Sequence, residues 1–120
     1  MFCSRTVQEA GPYKNAKQQF TTRKENIMVK HIVVYTLKED VNKDEAVQII
    51  ASWLEPLVGK IPGLQHMEIR RCFNGCDYAL YSEFESRELL ENYAKHPLHL
   101  EAKSHFHHFI ATRTAADYEV

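Results

Sequence analysis

The dipeptide Asn74-Gly75 stands between two runs that read as strands, Leu64 to Phe73 and Asp77 to Phe84. Both residues of an Asn-Gly pair tolerate the positive φ that a two-residue hairpin turn demands, so the two runs are expected to pair as antiparallel neighbours. In such a loop Phe73 and Cys76 close the turn and share a face, while Cys72 points to the opposite one. That alternation argues against a Cys72–Cys76 disulfide. No further ligands stand at a spacing suited to zinc, and no metal is expected.

The hairpin is flanked on both sides by strand–helix units. Val29 to Lys38 is rich in β-branched and aromatic residues. One face carries Val29, His31, Val33, Tyr35 and Leu37, and the other carries Ile32, Val34 and Thr36, so both faces call for cover. Asn42-Lys43-Asp44-Glu45 has the form of a helix N-terminus with acid in its first turn. Ala46, Val47, Ile50, Trp53, Leu54, Leu57 and Val58 then recur at helical spacing. Pro56 lacks the N–H for an intrahelical bond and predicts a kink or an early end. Gly59 suits a C-terminal cap, and Ile61-Pro62-Gly63 a turn.

After the hairpin, Ser86 can cap a helix with Leu89, Leu90, Tyr93 and Ala94 as its apolar stripe. Pro97 ends that helix and can open another, because a missing donor costs nothing at the first helical position. Leu98, Ala102, Phe106 and Phe109 give the second helix its apolar face, and Ile110 to Tyr118 reads as a last strand. The order is an α+β, ferredoxin-like βαββαβ arrangement: an antiparallel sheet with helices on one face. The other face of such a sheet would expose a large apolar patch, which two copies packed sheet to sheet would cover; a homodimer is expected.

Length and charge narrow the function classes. The 120 residues, 44% hydrophobic and 26% charged, suit one globular domain. A net charge of −1 offers no basic surface for nucleic acid, and no apolar run is long enough to span a membrane. Three cysteines do not make a secreted disulfide framework, which favours a reducing, cytoplasmic setting. Residues 1–27 hold five Lys/Arg against two Asp/Glu and lack a recurring apolar face. They read as an N-terminal extension, flexible or non-native: a weak targeting peptide, or translation from a start upstream of Met28. The domain is expected over 28–120.

Five segments occur in an order that closely resembles the stress-responsive dimeric A/B barrel (Dabb) family. They are Val29-Lys30-His31-Ile32-Val33, Ile61-Pro62-Gly63-Leu64, Tyr81 to Ser86, Tyr93 to His99, and Asp117-Tyr118-Glu119. The resemblance implies the same βαββαβ order and a dimeric α/β barrel formed by two sheets. Some plant members resemble boiling-stable stress proteins that assemble into rings, and many bacterial members have no assigned activity. One plant member is a polyketide cyclase whose histidine and tyrosine match His99 and Tyr93, and whose first-strand histidine matches His31. A further pocket histidine of that cyclase falls on Tyr78, where this chain departs from it.

The residues also carry their own chemistry. Neutral imidazole moves protons near pH 7, so His99 can act as a general base. The Tyr93 hydroxyl can orient it or stabilise an enolate, and His31 can line the same cavity. These three are the candidate catalytic residues; Tyr78, Tyr35, His96 and Phe84 are the candidate substrate-binding ones. Each has a structural alternative, since a buried His or Tyr at a helix junction often only satisfies a carbonyl, and His96-Pro97 can simply organise the turn. His105, His107 and His108 suit a solvated helix end near its negative dipole. Glu83 and Glu85 share a strand face and are expected to stay solvated. Three readings stand: a homodimeric stress-associated protein binding a small hydrophobic or aromatic molecule, a cofactor-independent cyclase or lyase using His99 and Tyr93, and a dimeric-barrel monooxygenase. No cofactor is expected on the first two.

Overall fold

The computed structural model describes residues 28–120; the expectations for residues 1–27 lie outside it. The chain runs β1 (Val29–Leu37), α1 (Lys43–Leu54), a 3-10 turn (Glu55–Leu57), β2 (Leu64–Arg71), β3 (Tyr78–Phe84), α2 (Arg87–Lys95), α3 (Pro97–Ser104), a second 3-10 turn (His107–Phe109) and β4 (Ile110–Glu119). The four strands form one sheet in the order β2-β3-β1-β4, with every neighbouring pair antiparallel. This is the expected ferredoxin-like βαββαβ topology.

Local chemistry sets the helix boundaries. Asn42 Oδ1 accepts from Glu45 N at 3.0 Å and Ser86 Oγ accepts from Leu89 N at 3.2 Å, so both N-termini are capped as their sequences predict. Pro56 converts the end of α1 into a 3-10 turn, and Gly59 follows with φ +88°. Helix α3 stops at Ser104, short of the histidine cluster. His105 is its C-cap and stacks on Trp53 with ring centroids 3.8 Å apart. His107 and His108 belong to the next 3-10 turn, so the three histidines do not form the one helix end that their spacing suggests.

The core lies between one sheet face and the helices. Val29, Val33, Tyr35 and Leu37 of β1 meet Tyr78, Leu80 and Phe84 of β3, Met67 and Ile69 of β2, and Val47, Ile50 and Leu54 of α1. The stripe on α2 is narrower than its spacing predicts: Tyr93 is buried, Leu89 and Leu90 are half-buried, and Ala94 is exposed. The other sheet face presents Ile32, Val34 and Thr36 of β1 without cover among the described residues, Val34 being 38% exposed. On it Glu83 is not simply solvated. It accepts from Tyr81 Oη and pairs with Lys30 Nζ at 3.4 Å, and the Tyr81 hydrogen bond leads the effects that lower its pKa. Glu85 accepts from Gln65 Nε2 at 2.6 Å.

The hairpin corrects one reading. Its register, Arg71 opposite Tyr78, continues as Cys72 N donating to Asp77 O at 3.0 Å, and Gly75 takes φ +95°. The ladder itself ends at Arg71, and the chain bends through residues 73–77. Strict alternation of faces fails there, and the Sγ atoms of Cys72 and Cys76 stand 3.0 Å apart instead of on opposite faces.

Asp77 anchors this end of the sheet. Its carboxylate accepts from Leu37 N at 2.6 Å and from Lys43 Nζ at 3.3 Å, which ties the hairpin to the end of β1 and the start of α1. The Leu37 N–H, and after it Lys43, hold the carboxyl below its ordinary 3.8. A depressed folded-state pKa contributes stability that is present above the unfolded pKa and lost as pH falls through the folded one. Asp77→Asn is therefore expected to be less stable than wild type at pH 7. In urea unfolding the gap should close as pH drops below 3.8.

Candidate functional site

A cavity of about 460 Å³ lies between β1 and β4 on one side and α2 and α3 on the other. The volume falls within the range of about 300–1,000 Å³ common for small-molecule sites. Tyr35, Leu54, Leu80, Leu90, Phe106 and Ile110 provide apolar wall, and His31, Tyr93, His99, Arg113 and Asp117 bring polar groups to it. Glu91, Lys103 and Arg113, all solvent-exposed, add charge along its lining.

The Pro97 break places His99. Proline has no N–H to continue the ladder, so carbonyls at the end of α2 need other donors. His99 Nδ1 lies 3.3 Å from Ala94 O. A carbonyl only accepts, so Nδ1 carries the hydrogen and Nε2 keeps its lone pair. Burial lowers the His99 pKa, and the neighbouring charges of Lys103, His31 and Arg113 lower it further. The ring is thus a neutral base at physiological pH. Six residues earlier, across the Pro97 break, Tyr93 packs against it with ring centroids 4.2 Å apart. Burial raises the Tyr93 hydroxyl pKa well above its usual value, which keeps it a proton donor.

His31 enters from the sheet. Its register partner on β4 is Asp117, and residues directly opposite in an antiparallel pair share a face. Asp117 Oδ1 contacts His31 Nδ1, which fixes the ring as it fixes the tautomer. Both imidazoles therefore have Nδ1 engaged, and neither Nε2 has a hydrogen-bond partner among the described residues. Four residues earlier on the same face of β4, Arg113 stands opposite Tyr35, and its charge acts on the Tyr35 hydroxyl. Burial raises the Tyr35 pKa, and this charge works against the rise.

Of the seven residues singled out by sequence, His99, Tyr93, His31 and Tyr35 line the cavity together. The other three lie behind or beside its lining. Phe84 is fully buried and supports the wall, its ring 5.0 Å from Tyr93 and 6.2 Å from His31. Tyr78 is fully buried and stacks on Tyr35 at 4.4 Å, with the planes within 10°. His96 caps α3, its Nδ1 accepting from Leu98 N at 3.1 Å, so the turn-organising account of this residue describes its place. Sequence reasoning missed Arg113, Asp117 and Lys103. The alternation of β4 held the signal for the first two, but only its pairing with β1 shows which face they take.

Tyr78 supports a direct prediction. Its hydroxyl is buried with no hydrogen-bond partner among the described residues. An orphaned buried hydroxyl costs about 1–3 kcal/mol. Tyr78→Phe keeps the stack on Tyr35, so its denaturation midpoint is expected to equal or exceed that of wild type. A clear loss of stability would show that the hydroxyl has a partner.

Among the described residues no group of three or more His, Cys, Asp or Glu side chains is placed to hold a metal ion. None of their helices is long and apolar enough to cross a membrane.

Comparison with known proteins agrees with this architecture. A dimeric protein of ferredoxin-like fold from Bacteroides fragilis is 32% identical, with a TM-score of 0.71 over 78% of this chain and 96% of its own. A protein from Arabidopsis thaliana is 24% identical, with a TM-score of 0.66 over 75% of this chain and 92% of its own. The hydroxynitrile lyase of Passiflora edulis is 20% identical, with a TM-score of 0.63 over 78% of this chain and 93% of its own, a likeness of fold alone. No functionally curated protein matches in sequence. The profile of the stress responsive A/B barrel domain matches residues 29–120, and the chain belongs to that family.

Proposed function

We propose that this protein is a homodimer that binds a small, largely apolar or aromatic molecule bearing an acidic or enolisable oxygen in the cavity between sheet and helices. The observation that carries the reading is the convergence of His99, Tyr93 and Arg113 on one apolar-walled cavity that side chains leave open. The apolar wall rewards a hydrophobic ligand body. Arg113 has no ion-pair partner among the described residues and offers a planar donor fork to a carboxylate, phenolate or enolate.

The homodimer rests on two observations. Among the described residues the face holding Ile32, Val34 and Thr36 is uncovered, and nearly all of β4 is exposed along its length. The related Bacteroides fragilis protein is dimeric. Sedimentation that returns a monomer at micromolar concentration would overturn this part.

A second reading is favoured by the state of the acid–base pair: the same site performs cofactor-independent lyase or cyclase chemistry. His99 is neutral, its Nε2 has no hydrogen-bond partner among the described residues, and the adjacent Tyr93 keeps its proton. Together they can remove a proton next to a carbonyl and donate to the developing oxyanion. The similarity to a hydroxynitrile lyase is consistent with such use of the fold.

The test is calorimetric titration of aromatic carboxylic acids and their neutral amides into wild type and Arg113→Ala. A hydrogen bond to a charged group is worth about 1.5–3 kcal/mol, so the acid should bind the variant about tenfold to a hundredfold more weakly. The amide should be affected far less. Equal losses for acid and amide would contradict the anion-binding role.

A further inference from the structure

Outside the cavity, the hairpin tip brings together two thiols. Cys72 and Cys76 are free, both half-buried, with Sγ atoms 3.0 Å apart. A disulfide needs about 2.05 Å between sulfurs, so an approach of about 1 Å separates the pair from a bond. The ends of the loop are held. Cys72 N and Arg71 Nη1 both donate to Asp77 O, at 3.0 and 2.9 Å, and Asp77 N donates to Tyr35 O at 3.0 Å. The tip itself is uncrowded, since a Cβ placed on Gly75 would meet nothing within 4 Å and Phe73 points wholly into solvent. The thiols are thus fixed as neighbours by the strands beneath them, while the residues between have room to adjust.

We propose that Cys72 and Cys76 form a redox-modification site, a dithiol that small-molecule disulfides such as oxidised glutathione convert reversibly to an intramolecular disulfide. Burial, with the hydrogen bond to Cys76 next, pushes the Cys72 thiol up, and in the proposed exchange Cys76 makes the first attack. The Cys76 thiolate attacks one sulfur of glutathione disulfide, whose S–S bond breaks. The departing glutathione thiolate takes up the proton that Cys76 lost. Cys72, 3.0 Å away, then gives up its proton and attacks the Cys76 sulfur of the mixed disulfide, expelling the second glutathione, which takes that proton. Two electrons pass from the dithiol to the external disulfide, which leaves as two thiols. The Cys76 Sγ contact with Tyr78 O, 3.4 Å in the dithiol, loses its hydrogen in the disulfide.

The full chain carrying Cys3→Ser leaves only this pair to titrate. It is equilibrated across a series of reduced-to-oxidised glutathione ratios, quenched with acid, alkylated and weighed intact. The expected result is a direct exchange between a doubly alkylated species and an unalkylated one lighter by two hydrogens. Adding Cys72→Ser should abolish the lighter species and leave a glutathione adduct on Cys76. Because the fold holds the thiols together, the native chain should favour the disulfide about tenfold or more over the same chain in denaturing guanidinium. Accumulation of glutathione adducts on the intact pair, thiols that stay alkylatable at the most oxidising ratio, or equal ratios in native and denatured chains would each overturn the proposal.

Discussion

Gly63→Ala is expected to destabilise the fold by about 2–5 kcal/mol and to displace helix α2. Two costs combine at this position. Gly63 adopts φ +86°, a region in which an L-residue with a Cβ is strained by about 1–2 kcal/mol. A Cβ there would also lie 2.6 Å from Leu89 Cβ and Cδ1 and 2.8 Å from Cγ. Because Cβ is attached to the backbone, no rotamer change of Leu89 relieves the clash, and overpacking of this kind costs about 1–3 kcal/mol more. The effect reaches the cavity because Leu89 and Tyr93 lie four residues apart on α2. Denaturant unfolding measures the first part of the expectation, and weakened ligand binding in the fraction that remains folded measures the second. A variant as stable as wild type would show that the turn and α2 do not meet as closely as described.

Phe84→Ala is expected to cost about 3–5 kcal/mol, the usual loss for a buried phenylalanine. The ring has no solvent exposure and packs against Tyr93 and His31, so the vacated space lies directly behind two cavity groups. Phe84 is flanked by a strand on each side, facing Val29 on β1 and Leu64 on β2, where the β2 register shifts between Leu64 and His66, and this flanking limits collapse into the hole. Phe84→Leu retains much of the volume and should recover a large part of the loss. Urea midpoints of the two variants decide the matter; equal destabilisation would mean that the aromatic contacts, and not volume, dominate.

The fold was largely legible because its signals are local. The caps at Asn42 and Ser86, the Pro56 and Pro97 breaks and the alternation of β1 each act within a few residues, and the structure keeps all of them. Errors arose where a local rule was carried past its range. Alternation was extended beyond Arg71 into a loop that leaves the ladder, which misplaced Cys72. Helical periodicity likewise does not reach beyond Ser104, so His105, His107 and His108 divide between the cap of α3 and the following 3-10 turn instead of forming one helix end.

The candidate site divides along the same line. His99 and Tyr93 sit on one helix–Pro–helix segment, and their meeting follows from that break. Arg113 and Asp117 join the cavity only through pairing between β1 and β4, elements separated by most of the domain. A register shift of one residue would turn both side chains to the opposite face. Nothing near them in sequence specifies that pairing, so their role became readable only with the sheet assembled.

The measurement that bears most directly on the cavity as a working site is thermal unfolding of wild type and His99→Ala against a panel of aromatic and polyketide-like acids. A ligand present at about 100 times its dissociation constant adds about 2.7 kcal/mol to the stability of a protein that binds it only when folded. The expected result is a raised midpoint for wild type with at least one acid. His99→Ala should keep a near-normal midpoint without ligand and lose that response. If no acid shifts wild type and His99→Ala alone unfolds far earlier, His99 is a structural support for the Ala94 carbonyl and the cavity is not a ligand site.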